Sequence, residues 1–255
     1  MLLTDGVPND DEALKVYEAA ILDVANTERI ELAAKLDLAL EEISEEVLDV
    51  LLDHTRASDP QSTVRRTLGV SDVVVSAPMR RWHAVHTLET VYRDAFNNQL
   101  NDRYHAKFQE YHRLSKDARE HTFRFGIGLA LTPIPKAVPP TFTFVAGLLL
   151  ETIYYVQVSW VSPSGQEGAP SDVTTFDSPV GSLPVVTAVN PPALATGFNV
   201  YVGLSPDSMA LQTATPVPVG QSFTLATTGV AAGRAPGMGQ SADYYVVGGP
   251  MMRRG

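Results

Sequence analysis

The hydrophobic pattern of this chain changes period once. Up to about residue 125 apolar side chains recur every three or four positions, the spacing of one helix face; from Thr141 they recur every second position, the spacing of a strand. Pro8-Asn9-Asp10-Asp11-Glu12 reads as a helix start, with Asn9 as N-cap and Glu12 as its capping-box partner. Leu14, Tyr17, Ile21 and Val24 then share a face. A second helix is expected from Thr27 or Glu28 to about His54, with Ile30, Ala33, Leu36, Leu40, Ile43, Val47 and Leu51 as its apolar stripe. Asp59-Pro60 and Gly69 interrupt helical order, and Val73-Val74-Val75 suits a short extended piece. Pro78 fits the first turn of a third helix capped by Ser76 or Ala77. Trp82, Val85, Tyr92 and Phe96 mark one face, and Tyr104, Phe108, Tyr111, Leu114 and Ala118 the next. Asn97-Asn98 and Asn101-Asp102 between them predict a kink or a break, and Gly126-Ile127-Gly128 a stop.

Leu129 to Pro140 holds four prolines in its last eight residues, which forbids helix and favours an extended strap. Its apolar members Leu129, Leu131, Ile134 and Val138 favour a groove, either on a partner or on the chain's own bundle. Beyond it, Tyr154, Val156, Val158 and Trp160 alternate with Ile153, Tyr155, Gln157 and Ser159, as in a half-buried strand. Further short strands are expected at Asp172–Phe176, Leu183–Ala188, Gly197–Gly203, Gln221–Leu225 and Asp243–Val247. Trp160, in the alternating strand, is expected in the core. The fold class is therefore multidomain α and β. A helical bundle (1–128) leads through the strap (129–140) to an antiparallel β-sandwich of immunoglobulin or fibronectin type (141–255), with a loose, glycine-rich segment after Leu225.

Charge divides the helical half in two. Residues 1–59 hold 16 acids against 4 bases, and residues 60–136 hold 12 bases against 7 acids, in a chain of net charge −10. The total argues against a protein that coats itself in nucleic acid. The gradient fits either two solvated faces of one bundle or an acidic face of one copy meeting a basic face of the next, head to tail. Without cysteine there is neither a disulfide framework nor a thiolate metal site. No secretion signal opens the chain and no apolar run approaches a membrane span, so a soluble protein is expected, with no membrane partner.

Candidate chemistry is sparse. Glu41, Glu42, Glu45 and Glu46 resemble a carboxylate cluster but read as a solvated helix face. His83 with His86, and His105 with His112, can each share a face, yet nothing supplies the further ligands zinc needs. No Gly-x-Ser-x-Gly elbow and no phosphate-binding glycine loop occurs, so no cofactor is expected and the chain reads as a non-enzyme. Arg103, Lys107, Arg113, Lys116, Arg119 and Arg124 form the main basic set. Tyr104, Phe108 and Tyr111 interleave with it at the spacing of a buried stripe, which leaves the bases on the opposite face as channel-lining or lateral-contact residues that DNA passes without being gripped.

Two segments carry a resemblance. Tyr154-Tyr-Val-Gln-Val-Ser-Trp-Val-Ser-Pro-Ser-Gly-Gln-Glu-Gly-Ala-Pro-Ser171, followed by Gly197-Phe-Asn-Val-Tyr-Val-Gly203, resembles the fibronectin-III/immunoglobulin-like modules appended to tailed-phage virion proteins. The acidic helix pair, the Trp82-to-Phe125 helical region and the strap together are similar to head-to-tail adaptor (connector, neck) proteins of tailed phages. The resemblance implies a structural virion protein assembled in the bacterial host cytoplasm. It would form a homo-oligomeric ring, a dodecamer if the likeness holds, that joins portal to tail and also meets tail or neck proteins. On that reading Leu129, Leu131, Pro133, Ile134, Pro135 and Val138 would be the portal-docking strap. The rival readings are a tail-fibre or receptor-binding component whose sandwich binds surface glycans through Trp160 or exposed tyrosines, and a hydrolase with a polar pocket.

Overall fold

The computed structural model describes residues 1–57, 68–100 and 102–247. It divides into two units, and neither is one continuous stretch. The first contains Gly6–Ala130 and the chain from Ala242 on; the second contains Met1–Asp5 and Leu131–Ser241. The helices precede a series of antiparallel strands, so the chain is mixed α and β in the order its periodicity predicts.

In the helical unit, α1 (Asp11–Tyr17) and α2 (Ile21–Glu28) replace the single amphipathic segment expected there. The N-cap is Asp10, which accepts from the Ala13 amide at 2.8 Å, and not Asn9. Asn9 is instead buried. The long α3 (Leu32–Ala57) begins later than expected, because α2 takes the chain as far as Glu28; it buries Leu36, Ile43, Val47 and Leu51 of the expected stripe together with Leu32 and Ala39, while Ile30 and Leu40 are half-buried and Ala33 is exposed. The Asp59-Pro60 break lies outside the described residues. After a short strand β1 (Val73–Val74), α4 (Ala77–Gln99) begins on a Ser76 cap with Pro78 in its first turn. It ends at Leu100, whose left-handed φ of 49° breaks the helix before α5 (Asp102–Phe125). A ladder of ring contacts fixes α4 and α5 as an antiparallel hairpin: Trp82 on Phe123 at 5.5 Å, Tyr92 stacked on Tyr111 at 5.5 Å and Phe96 on His105 at 4.7 Å. α4 also touches α1, α2 and α3. It is thus the helix around which the unit is built, and it buries polar His83, Thr87, Glu89 and Thr90 beside its apolar residues. Gly126, at a φ of +106°, turns the chain from α5 into β2 (Ile127–Leu129), which pairs with β1.

The second unit holds two antiparallel sheets. β3 (Thr141–Ala146), β6 (Ser182–Thr187) and β10 (Phe223–Thr224) form one, in the order β10-β6-β3. The other runs β5-β4-β7-β8, from β4 (Thr152–Val161), β5 (Thr174–Ser178), β7 (Gly197–Gly203) and β8 (Ala210–Leu211), with β9 (Val217–Pro218) also on β7. Tyr154, Val156, Val158 and Trp160 of β4, Phe198, Val200 and Val202 of β7 and Val186 of β6 belong to one buried cluster, with Phe142 of β3 packed against it. Both sheets therefore share a core.

The ends of the chain exchange places. Leu2 and Leu3 are buried in the second unit, where Asp5 accepts from the Lys136 amide at 2.7 Å. In the opposite sense, β11 (Tyr244–Val246) belongs to the helical unit, as the outer strand on β2. The expected 141–255 module is corrected accordingly. Gly128 makes this pairing possible, since a Cβ there would meet the Ala242 Cβ at 2.8 Å. The stretch after Leu225 is not free either: the Arg234 carbonyl accepts from the Leu211 amide at 2.9 Å, and Gln212 bonds Ala231 in both directions at 2.8 Å.

The strap divides between the units. Leu129 is buried inside β2, whereas Ile134 and Ala137 enter the core of the second unit. The Ile134 amide donates to Gln240 Oε1 at 3.0 Å, and a Cβ on Gly168 would lie 2.7 Å from Ile134 Cγ2. Ile134→Ala should therefore cost the second unit about 2–4 kcal/mol, read by denaturant unfolding. Exposed Val138→Ala should change it by less than about 0.5 kcal/mol; equal effects would mean the strap is not part of that core.

Candidate functional site

The most concentrated polar chemistry lies where α3, α4 and α5 meet. His86 of α4 places Nε2 2.6 Å from Glu42 Oε2 of α3, and Nδ1 3.1 Å from Glu89 Oε2 and 3.2 Å from Ser115 Oγ of α5. The other Glu89 oxygen meets His112 Nδ1 at 2.8 Å. Burial alone would lower the His86 pKa, but bonds to Glu89 and Glu42 outweigh it and raise it. Burial would raise that of Glu89, yet bonds from His86, His112 and Ser115 hold it at about 2. The group is therefore an imidazolium clasped by two carboxylates, one from α3 and one from the next turn of α4 itself.

Ser115, His86 and Glu42 look like a hydrolytic triad in outline. The electrostatics oppose it: a general base must have a ring nitrogen free to take a proton, and both nitrogens of His86 face carboxylates. Ser115 is itself buried. Among the described residues no group of three or more histidines and carboxylates is placed to hold a metal ion. The clasp joins helices, and so does the next turn, where Arg119 of α5 bonds Glu46 and stacks over Phe123.

One turn before His86, His83 is locked as a neutral ring. The Asn9 amide nitrogen donates to the Arg80 carbonyl at 2.8 Å and to His83 Nδ1 at 3.0 Å, which leaves Nε2–H to donate to the Leu36 carbonyl at 3.0 Å. Burial, the dominant cause, pushes its pKa down to about 4. Glu18, at the corner between α1 and α2, makes a third tie by accepting from Tyr111 Oη at 3.0 Å and Lys107 Nζ at 2.8 Å.

The predicted basic set consequently has two fates. Lys107 and Arg119 pair within the bundle. Arg113, Lys116 and Arg124 are exposed, as is Arg103, on a helix that also exposes Asp102, Glu110, Asp117 and Glu120. That mixed surface is not a cationic stripe. The expected solvated glutamate face divides likewise, since Glu42 and Glu46 point to α4 and α5 while Glu41 and Glu45 stay exposed. Asp37, Glu41, Glu45 and Asp49 form an exposed row at four-residue spacing, without an ion pair among the described residues.

Of the six strap residues, Leu129 and Ile134 are buried, Pro133 is half-buried, and Leu131, Pro135 and Val138 are exposed. They do not present one apolar face. In the second unit Glu167 accepts from Ser159, from Tyr201 Oη at 2.5 Å and from Arg234. Burial would raise its pKa, and these bonds lower it. Trp160 and Tyr154 are buried, so neither offers a sugar-stacking surface. Asn9 and Glu18 were not legible as site residues. The signal for Asn9 was its place beside a better cap, Asp10, which left its amide free for another task.

A scan of the chain against protein-family models returns no match, and a search of curated proteins returns none either. Among the described residues no helix is long and apolar enough to cross a membrane.

The two histidines act on stability in opposite windows. His83 has a depressed folded-state pKa, so stability falls as the pH drops from about 6.5 toward 4, by about 3 kcal/mol in all. His86 has a raised one, so its contribution is complete below about 6.5 and is lost as the pH rises through the folded-state value. Urea unfolding between about pH 4 and 9 should show stability falling away on both sides of about 6.5. His83→Gln should flatten the acid limb and His86→Gln the alkaline limb. A single slope across the range would contradict the assignment.

Proposed function

We propose that this chain is a structural virion protein, a head-to-tail adaptor that joins portal to tail as an oligomeric ring, with an immunoglobulin/fibronectin-III-like sandwich as its second unit. Two antiparallel sheets around one core support the sandwich reading, as does Trp160 buried against Phe198 at a ring distance of 5.9 Å. The strand order of the larger sheet supports it too: β5-β4-β7-β8 runs as C′-C-F-G of the immunoglobulin arrangement, with β4 beside the later β7–β8 hairpin. The departure is in the other sheet, where β10, a strand that follows that hairpin in the chain, pairs with β6.

The observation that carries the ring reading is the carboxylate row Asp37, Glu41, Glu45 and Asp49 on the outer face of α3. Like charges four residues apart on a helix repel one another, and nothing among the described residues offsets them. Cations of a neighbouring copy would, and Arg113, Lys116 and Arg124, exposed on α5 among Glu110, Asp117 and Glu120, could supply them. Because α3 and α5 lie on the same bundle, such a contact is heterologous and repeats from copy to copy, which is how rings close. Lys107 and Arg119 of α5 are already used in holding the bundle. The strap, anchored through Ile134 and Ala137, would then serve as a connector, with Leu131, Pro135 and Val138 left for contact with a portal. No observation favours the glycan-binding reading.

Negative-stain microscopy and light scattering of the purified chain should find rings at low salt. Glu41→Lys with Glu45→Lys should weaken ring formation at least tenfold, and Arg113→Glu with Lys116→Glu should do the same. Mixing the two charge-reversed proteins should restore mixed assemblies. A monomer at every concentration, or rings indifferent to all four substitutions, would refute the lateral contact.

A further inference from the structure

The second unit carries an edge that lacks the usual protection against pairing. Most of its boundary strands are blunted. β8, β9 and β10 are two residues long, β9 contains Pro218, and β5 carries Asp177. β3 is different. It is six residues long, Thr-Phe-Thr-Phe-Val-Ala, with no charge, no proline and an unbroken register on β6 from Thr141↔Thr187 to Ala146↔Ser182. It ends the sheet order β10-β6-β3, so its outer backbone groups have no strand partner among the described residues. Natural sheets seldom leave such an edge uncovered, since it is a template for another strand.

An apolar patch continues from the end of this edge. Phe144 is 60% exposed, Val145 46%, Leu148 90%, Leu150 77% and Val180 69%. The turns that carry the last three are tied together, Gly147 N–H to the Gly181 carbonyl and Gly181 N–H to the Leu149 carbonyl, both at 2.8 Å. Leu148, Leu150 and Val180 thus form one surface at the end of the edge, and Phe144 and Val145, successive residues of a strand, lie beside it on opposite faces of the sheet. At on the order of 100 Å² for each large apolar side chain, the turn surface with either strand residue is about 400 Å², within the range of the largest patch on an ordinary monomer. The strand edge extends it toward the about 800 Å² that each partner buries in a specific interface.

We infer that β3 pairs antiparallel with β3 of a second copy of this chain, across a two-fold axis normal to the sheet. The edge selects an extended strand as occupant, and its sequence selects itself. A two-fold normal to the sheet keeps Phe142 and Phe144 on the same face in both copies. With the axis at Thr143, Phe142 lies opposite Phe144 of the second copy, Thr143 opposite its counterpart and Thr141 opposite Val145, a set of aromatic and β-branched pairs of the kind that stabilise sheets. No like charges meet in this contact, which matters in a chain of net charge −10. The joined sheet would also bring the two apolar patches to the flanks of the axis. This contact uses the second unit alone, so it is independent of the proposed ring contact through α3 and α5.

Sedimentation of the full chain tests the inference, and the absence of cysteine makes a chemical test clean. The wild-type protein should associate reversibly, and Phe144→Asp, which sets a carboxylate beside the axis, should raise the dissociation constant of this step at least tenfold. Thr143→Lys provides a second disruption at an exposed position should the first variant fold poorly. Thr143→Cys should form a disulfide-linked dimer under mild oxidation at least tenfold faster than Ser222→Cys, placed on the same unit away from the edge. Association unchanged by both charged variants, or cross-linking no faster than the control, would overturn the pairing. Rings that ignore every β3 substitution would sink this inference and leave the adaptor reading standing; a β3-dependent dimer that never forms rings would do the reverse. Capture of a different extended polypeptide on β3, with no self-association, would also overturn it.

Discussion

The helical unit depends on one constraint, that α4 is buried on nearly every side while carrying polar groups that must all be satisfied. A helix enclosed by α1, α2, α3 and α5 has little surface left for water, so each buried donor and acceptor needs a partner from a neighbour. Thr87 and Thr90 meet the need within the helix, by donating to the His83 and Thr87 carbonyls at 2.8 Å. His83 and His86 meet it by reaching out, His83 to Asn9 and the Leu36 carbonyl, His86 to Glu42 and across to Ser115. Each of these bonds fixes the rotation of another element about α4. The two histidines, three residues apart, illustrate how environment decides charge: one is neutral because burial dominates and only dipoles bond it, the other cationic because two carboxylates do.

The same constraint explains what could and could not be read in the sequence. Where one periodicity acted alone, the reading was close. The alternation at Tyr154–Trp160 gives the inward face of β4, Gly197–Gly203 matches β7 to the residue, and the Ser76-Ala77-Pro78 start opens α4. The suspected interruption near residue 100 proved to be a full break, made by Leu100 in the left-handed conformation. The errors occur where a local signal competed with a distant one. Asn9 is an adequate cap by itself, but Asp10 takes that role and the Asn9 amide is drawn to His83, 74 residues away.

The exchange of chain ends was illegible for a related reason. Nothing near Met1-Leu2-Leu3 or Tyr244-Tyr245-Val246 declares which core each will join, because both segments are too short to have a core of their own. Gly128 carried the only local trace, a residue without a side chain in the middle of an apolar strand, where another backbone has to pass. The candidate site divided in the same way. Composition identified the acidic and basic helices correctly as carriers of charge. It could not say that Glu42, Glu46, Lys107 and Arg119 would be consumed inside the bundle while Asp37, Glu41, Arg113 and Lys116 remained outside, because that depends on helix rotation set by the buried network.

The interleaved ends also bear on how each unit is completed. Were each unit a continuous stretch, a single linker near residue 130 would join them and either could unfold without consequence for the other. Instead the chain passes between units at residues 5–6, 130–131 and 241–242. Leu2 and Leu3 complete the second unit from the start of the chain, and β11 completes the helical unit's sheet from its far end. Opening either core releases a segment tethered to the other, and closing it brings together residues more than a hundred positions apart, an entropic cost that grows only slowly with loop length once the first link is made. The strap is therefore the second of three places where the chain passes from one unit to the other, which is why its buried apolar residues are divided between two interiors.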